Sequence, residues 1–206
     1  MKVSLTDAGK RFNRDWIFRH LTYTFEDGNS YAITGPNGSG KTTLLQILSG
    51  SMQTSEGDSQ WSVANGQLSN EQVYNHVSIC APYLEVVEEM TLKEFLRFHH
   101  HFKPFLSSVS IHSIISLIEL EPATNKQIRY FSSGMKQRVR LAQAIFSNAP
   151  FLLLDEPCTN LDATGIELYH RLIDEYCKSR LVIVSSNDET EYRFCKARLN
   201  ITDYKK

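Results

Sequence analysis

The octapeptide Gly35-Pro36-Asn37-Gly38-Ser39-Gly40-Lys41-Thr42 satisfies G-x-x-x-x-G-K-[ST] at every defined position. It stands between Ser30–Thr34 (SYAIT), which reads as a short strand, and Thr42–Ser49 (TTLLQILS), which reads as a helix stopped by Gly50. Strand, glycine-rich loop and helix are the context the motif requires. Three glycines let successive backbone N–H groups curl around an anion with no Cβ in the way. The following helix adds the positive end of its dipole. The expected occupant is the phosphate chain of a nucleotide, cradled by residues Gly35 to Gly40 and by Lys41, Thr42 and Thr43. Lys41 places a compact positive charge on the β- and γ-phosphates, and the Thr42 hydroxyl is a ligand for Mg²⁺.

Upstream, Leu21–Phe25 alternates apolar and polar residues, the period of a half-buried strand. Asp27-Gly28-Asn29 supplies a turn, which makes Ser30–Thr34 a second strand running back. Downstream, Thr91-Leu92-Lys93-Glu94 is a capping box, followed by Phe95, Leu96, Phe98 and Phe102 at helical spacing, with Pro104 beyond. Ile111, Ile114, Ile115 and Ile118 mark a second amphipathic helix that stops before Pro122. Residues from about 88 to 133 therefore read as a mostly helical insertion.

Helix and strand then alternate. Ser133–Ser147 is helical, Phe151–Asp155 is a buried strand, and Ala163–Tyr176 is helical with Asp162 as N-cap. Leu181–Ser185 is another buried strand, apolar on both faces as a central parallel strand is. The pattern implies a single α/β domain over 1–206: a mixed, mostly parallel sheet core, an N-terminal antiparallel β portion and a helical insertion.

A second group of candidate residues lies at the end of one of these strands. Phe151-Leu152-Leu153-Leu154-Asp155-Glu156-Pro157 brings two carboxylates to the C-terminal edge of a buried strand, where open α/β sheets bind their ligands. Asp155 suits Mg²⁺, directly or through water, because hard cations take oxygen ligands. Glu156 points elsewhere and can accept a proton from an attacking water.

Composition narrows the class. The 206 residues carry 22 Lys plus Arg against 23 Asp plus Glu, and 41% are hydrophobic, an ordinary globular balance that gives no support to a nucleic-acid binder. The longest apolar runs, Phe151–Leu154 and Leu181–Val184, are far too short to span a bilayer. The N-terminus has no apolar signal core, so the chain is expected to stay where it is made. Cysteines at 80, 158, 177 and 195 form no C-x-x-C pair, which argues against a zinc or disulfide framework. His99-His100-His101 reads as a polar helix face rather than a metal site, since consecutive helical residues diverge.

One further segment brings these motifs together. Phe131-Ser132-Ser133-Gly134-Met135-Lys136-Gln137-Arg138 resembles the LSGGQ signature of the ATP-binding cassette (ABC) ATPases, and its Gly134 lies 22 residues before Glu156. On residue chemistry alone, Ser133-Gly134 at a helix start is a second anion site, a hydroxyl beside free N–H groups. Lys136, Arg138 and Arg140 read as a solvated face of that helix. The resemblance covers about residues 1–190. It implies that Ser133 and Gly134 face the γ-phosphate of ATP bound to another subunit, two cassettes closing on two ATP molecules. It implies that Phe12, 23 residues before Gly35, stacks on adenine, with Trp16 as a rival. Asn160-Leu161-Asp162 resembles the loop that couples the two sites, and the helical insertion resembles the part that touches a membrane partner.

Two family residues are replaced. Tyr83 stands where the family has a Gln that meets Mg²⁺ and the attacking water, and Asn187 stands where it has a His on the γ-phosphate. Asn donates a hydrogen bond but does not titrate. The leading expectation is an ATP-hydrolysing subunit, a homodimer or a heterodimer with another cassette. It would power a separately encoded transmembrane permease from the cytoplasmic face, with Glu156, Lys41 and Asn187 in the chemistry. The alternative is a nucleotide-gated cassette with slow or no hydrolysis. A cassette acting on ribosomes or DNA is disfavoured, because the chain lacks a second cassette and long coiled insertions.

Overall fold

The computed structural model describes residues 1–205. The elements in chain order are β1 (Lys2–Phe12), β2 (Asp15–Glu26), β3 (Ser30–Thr34), α1 (Lys41–Leu48), β4 (Glu56–Val63), β5 (Gly66–Leu68), α2 (Asn70–His76) and β6 (Val77–Cys80). Then follow α3 (Leu92–Phe102), α4 (Ile111–Leu117), α5 (Ser133–Phe146), β7 (Phe151–Asp155), α6 (Ala163–Tyr176), β8 (Leu181–Ser185), α7 (Glu189–Tyr192) and β9 (Ala197–Asn200). Two compact units are present. The first takes Met1–Val77, Ala149–Asp155 and the chain from Ser179 onward; the second takes Ser78–Asn148 and Glu156–Lys178.

In the first unit an antiparallel sheet has the order β2-β1-β4-β5, and a parallel sheet has the order β6-β7-β8-β3-β9, its edge strand β6 leading out of the unit. In β2 the inward residues Phe18, Leu21 and Phe25 are fully buried, which strict alternation does not allow. The register shifts twice between Leu5 and Lys10 of β1, and His20 of β2 has φ 57°. This bulge turns the strand so that Phe18 and Leu21 both face the core. Each such side chain contributes about 1.5–3 kcal/mol on burial. Trp61 of β4, 1% exposed, donates its Nε1–H to Leu48 O at 2.8 Å and so ties the antiparallel sheet to the end of α1.

Ser30–Thr34 is a strand as expected, but it does not pair back onto β2. β3 lies between β8 and β9 of the parallel sheet, with Tyr31 opposite Ile183 on one side and Ala197 on the other. The physical reason is its composition: Tyr31, Ala32 and Ile33 are all buried, as a strand covered on both faces requires. The Asp27–Asn29 turn therefore carries the chain from one sheet to another.

In the second unit α3 starts at the capping box foreseen in the sequence. Thr91 N donates to Glu94 Oε2 at 2.9 Å and Glu94 N donates to Thr91 Oγ1 at 3.3 Å. Leu92, Phe95 and Leu96 are buried, whereas Phe98 and Phe102 are exposed, their rings 4.9 Å apart. α4 buries Ile114 and Ile115, and Ile118 follows them into the core.

Of the three histidines of α3, His100 and His101 are exposed, as the polar helix face expected of them requires, whereas His99 is half-buried. His99 Nε2 is 2.8 Å from Ser147 Oγ, whose own hydroxyl donates to Gln143 O, so the imidazole donates to the serine. Its ring stacks on Phe105, and His100 Nδ1 accepts from Phe105 N at 3.0 Å. Burial, with Lys103 and His100 adding positive charge, pushes the His99 pKa down to about 4. The folded state then binds fewer protons than the unfolded chain between about pH 4 and the ordinary value of 6.5. Stability is therefore full above that window and falls as pH drops through it, by an amount on the order of 2 kcal/mol. Denaturant unfolding from pH 7.5 to 4 should show this loss, and His99→Gln, which keeps an amide donor, should flatten the slope. An unchanged slope in His99→Gln would assign the loss to other groups.

Candidate functional site

The phosphate loop is built within the first unit. β3 ends at Thr34, the loop turns through Gly35–Gly40, and α1 begins at Lys41 with Gly40 as N-cap at φ 106°. Gly40 admits no side chain. A Cβ there would lie 2.3 Å from Ile17 Cγ2, so β2 packs directly against the loop. Lys41, 6% exposed, donates its Nζ to Gly35 O at 2.7 Å and makes a longer contact of 3.4 Å to Pro36 O. A buried ammonium group held by two loop carbonyls, with no carboxylate paired to it among the described residues, is a cation suited to an anion. The Thr42 hydroxyl donates to Asp155 Oδ2 at 2.7 Å. These residues stand 113 positions apart in the chain and meet because α1 lies against β7 and β8.

Asn187 also reaches this loop. Gly35 N donates to its Oδ1 at 3.2 Å, and its Nδ2 donates to Asn37 Oδ1 at 3.2 Å. Ser39 is 1% exposed, and its hydroxyl has no hydrogen-bond partner among the described residues. An unsatisfied buried hydroxyl within the loop fits a site made for a polar, multiply accepting group. Thr42 and Asp155 together offer two hard oxygens, the donor set that Mg²⁺ prefers. Phe12 ends β1, is 47% exposed, and has Lys10 Nζ 5.4 Å from its ring centroid. Trp16 is more occupied, with the Arg19 guanidinium 4.2 Å and that of Arg11 5.5 Å from its centroid.

The remaining sequence candidates lie in the second unit. Glu156 has φ 45°, an uncommon conformation for a residue with a side chain, and Thr159 N closes the turn onto its carbonyl at 3.1 Å. Its carboxylate is partly exposed and has no hydrogen-bond or ion-pair partner among the described residues. Tyr83 is 47% exposed, on a turn closed by Leu84 N to Ala81 O at 3.1 Å. At the start of α5 the capping side chain is Ser132, which accepts from Met135 N at 3.2 Å, while Ser133 and Gly134 are the first helical residues. A Cβ on Gly134 would be 3.0 Å from Asn160 O, so the loop before α6 crosses close over this helix end. Asp162 caps α6 by accepting from Gly165 N at 2.8 Å, and this bond, with one from the Thr164 hydroxyl, holds its carboxyl below the usual range. A cavity of about 550 Å³ opens here, lined among others by Ser133, Gly134, Met135, Arg138 and Leu161.

The basic residues of α5 are engaged rather than solvated. Lys136 Nζ pairs with Glu88 Oε1 at 2.5 Å, and Arg140 Nε donates to Leu84 O at 2.8 Å. Arg138 Nη1 donates to Glu119 Oε2 at 2.9 Å, and its Nη2 lies 3.9 Å from Asp162. Sequence reading missed Ser132, although a serine three residues before Met135 is an N-cap signal. It also missed Ile17 and the contact of Asn37 with Asn187, because partners far away in the chain leave no local signal.

A phosphate loop between a parallel strand and a helix, with a hydroxyl–carboxylate pair at the first helical turn, defines a P-loop nucleotide-binding protein. The sequence profile of the family described as ABC transporter matches residues 18–159. The chain is 31% identical over 196 residues to the uncharacterized ABC transporter ATP-binding protein YybJ of Bacillus subtilis, covering 92% of this chain and 87% of that one. It is 28% identical over 206 residues to the cytochrome c biogenesis ATP-binding export protein CcmA of Haemophilus influenzae, covering 99% and 97%. In fold it is similar to MJ0796, a bacterial ABC transporter cassette solved as a dimer, with TM-score 0.80, 20% identity, and 97% and 94% coverage.

The chain belongs to the ABC transporter family. It is an ATP-binding subunit that energises an ABC transporter, an ATPase of that family. Cassettes of the family bind ATP, dimerise and pair with membrane permeases. No helix among the described residues is long and apolar enough to cross a membrane.

Proposed function

We propose that this chain binds Mg²⁺ and ATP at the Gly35–Thr43 loop and hydrolyses the ATP with Glu156 as general base. Lys41 turns from its carbonyl partners to the β- and γ-phosphates, and Phe12 carries the adenine. Thr42 and Asp155 hold Mg²⁺, which when bound neutralises charge building on the phosphate oxygens. In the hydrolytic step a water oxygen bonds to the γ-phosphorus and Glu156 accepts its proton. The bond to the bridging oxygen breaks, and that oxygen leaves on ADP. Ser133, Gly134 and the Asn160–Asp162 loop face the nucleotide of a second cassette, a copy of this chain or a different one. The helical segment from about 88 to 133 meets a separately encoded permease at the cytoplasmic face of the membrane, and no nucleic acid is involved. The observation that carries the metal and phosphate assignment is the 2.7 Å bond between Thr42 and Asp155 beside Lys41, whose ammonium is held by loop carbonyls.

A second reading, slow turnover, draws support from Tyr83 and from Asn187, whose amide is occupied by the loop. Phosphate release by the purified chain tests both. Turnover should require Mg²⁺, stop with EDTA, and fall at least about 10²-fold in Asp155→Asn, in line with the loss of transition-state charge stabilisation. Turnover indifferent to EDTA and to Asp155→Asn would overturn the assignment. A chain that binds ATP and dimerises on a sizing column without hydrolysis would favour the second reading. Recovery with ribosomes or DNA instead of a membrane fraction would count against the permease.

A further inference from the structure

Asn187 engages the loop through both ends of its amide, the oxygen and the nitrogen. Its carbonyl oxygen accepts from Gly35 N, the first backbone donor of the loop, and its amide nitrogen donates to the Asn37 side chain, each at 3.2 Å. The backbone on either side of it is fixed. Ser186 N donates to Ile33 O at 3.1 Å, extending the parallel sheet by one residue beyond β8. Asp188 N donates to Ser186 Oγ at 2.9 Å, and Asp188 then caps α7 by accepting from Thr190 N at 2.8 Å. The amide is thus presented to the loop from a stiff corner between a strand and a helix.

We infer that Asn187 is a positioning residue, not a phosphate ligand: with Asn37 it forms a clasp that holds the Gly35–Asn37 arm of the loop ready for nucleotide. The inference rests on the reading of this loop as the nucleotide site. Two cross-links hold the arm. Lys41 Nζ grips the carbonyls of Gly35 and Pro36, and Asn187 grips the Gly35 N–H and the Asn37 amide. When Lys41 transfers its charge to phosphate it releases the first grip. The Asn187 clasp makes no demand on the phosphate and persists, so the arm does not have to be ordered at the moment of binding. An amide suits this work because it presents one acceptor and a pair of donors from a single planar group and keeps both at any physiological pH.

The test uses the full chain, with ATP as the probe. Titration of a fluorescent trinitrophenyl-ATP and its displacement by ATP give affinity, and phosphate release gives KM and kcat. Thermal melts of the nucleotide-free proteins establish that each variant folds. Asn187→Ala should weaken ATP affinity about three- to tenfold, the range expected for one or two neutral hydrogen bonds, with kcat changed less than about twofold. Asn37→Ala should give a smaller loss of the same kind. Adding Asn37→Ala to Asn187→Ala should cost nothing more, because the bond is already gone.

A fall in kcat at constant affinity would make Asn187 a contact to the reacting phosphate and overturn the clasp. Effects of the two substitutions that multiply would overturn it as well. Lys41→Ala separates the two levels. If it abolishes ATP binding while Asn187→Ala leaves it untouched, the clasp fails and the site stands. If Lys41→Ala binds ATP normally, the nucleotide reading of the loop fails and the clasp with it.

Discussion

Glu156→Gln is expected to lower phosphate release by about 10²–10⁴-fold while ATP still binds. The carboxylate has no partner among the described residues, so the substitution breaks no ion pair and leaves no group orphaned. The amide is nearly the same size, and the turn that fixes this position is made by the backbone, Thr159 N to Glu156 O. Folding should therefore be unaffected, and the loss should fall on proton acceptance alone, because an amide does not take a proton at neutral pH. With turnover blocked, ATP stays bound, and the variant should elute as a dimer on a sizing column when Mg²⁺ and ATP are present. Turnover within tenfold of the unsubstituted chain, at equal ATP affinity, would remove Glu156 from the role of base. The proton would then have to be taken elsewhere, for instance by the phosphate itself.

Gly40→Ala should lower ATP affinity by about 10²-fold or more and reduce stability as well, through two separable effects. A side chain at φ 106° is strained by about 1–3 kcal/mol. The new Cβ would also sit 2.3 Å from Ile17 Cγ2, and relieving such a forced contact costs about 1–3 kcal/mol more. Both are relieved most easily by moving the loop away from β2, which displaces the backbone donors that a phosphate needs. Combining Gly40→Ala with Ile17→Ala removes the contact and leaves the strain, so the pair should recover part of the affinity and not all of it. Normal ATP binding by Gly40→Ala would show that the loop adapts without penalty, and the close packing against β2 would lose its significance.

The parts of the site legible in the sequence are those whose chemistry is written over a few adjacent residues. The phosphate loop needs glycines, a lysine and a hydroxyl in fixed order between a strand and a helix, and all of that is contiguous. Asp155 and Glu156 end a run of buried apolar residues, and Asp162 announces a helix N-terminus; the structure has the strand and the cap where they were read. The capping box at Thr91 is equally local. What was misread is of another kind. Lys136, Arg138 and Arg140 have the sequence of a solvated helix face, and only the neighbouring loops, through Glu88, Glu119 and the Leu84 carbonyl, engage them. His99 is polar by composition, and Ser147 and Phe105 take it out of water.

The sequence alone located the groups proposed to do the chemistry, a phosphate loop, a hydroxyl and two carboxylates, because they are specified by eight adjacent residues and a strand end. Tertiary structure decided how the cradle is held. The bond between Thr42 and Asp155 joins residues 113 positions apart, and that between Asn187 and Asn37 joins residues 150 apart. Strand order made both contacts possible. β3 lies beside β8 rather than beside the strand that precedes it in the chain, and so the corner after β8 arrives next to the loop after β3. Side-chain pattern records which faces of a strand are buried; which other strand lies next to it depends on packing of the whole sheet, and no short stretch of sequence carries that information.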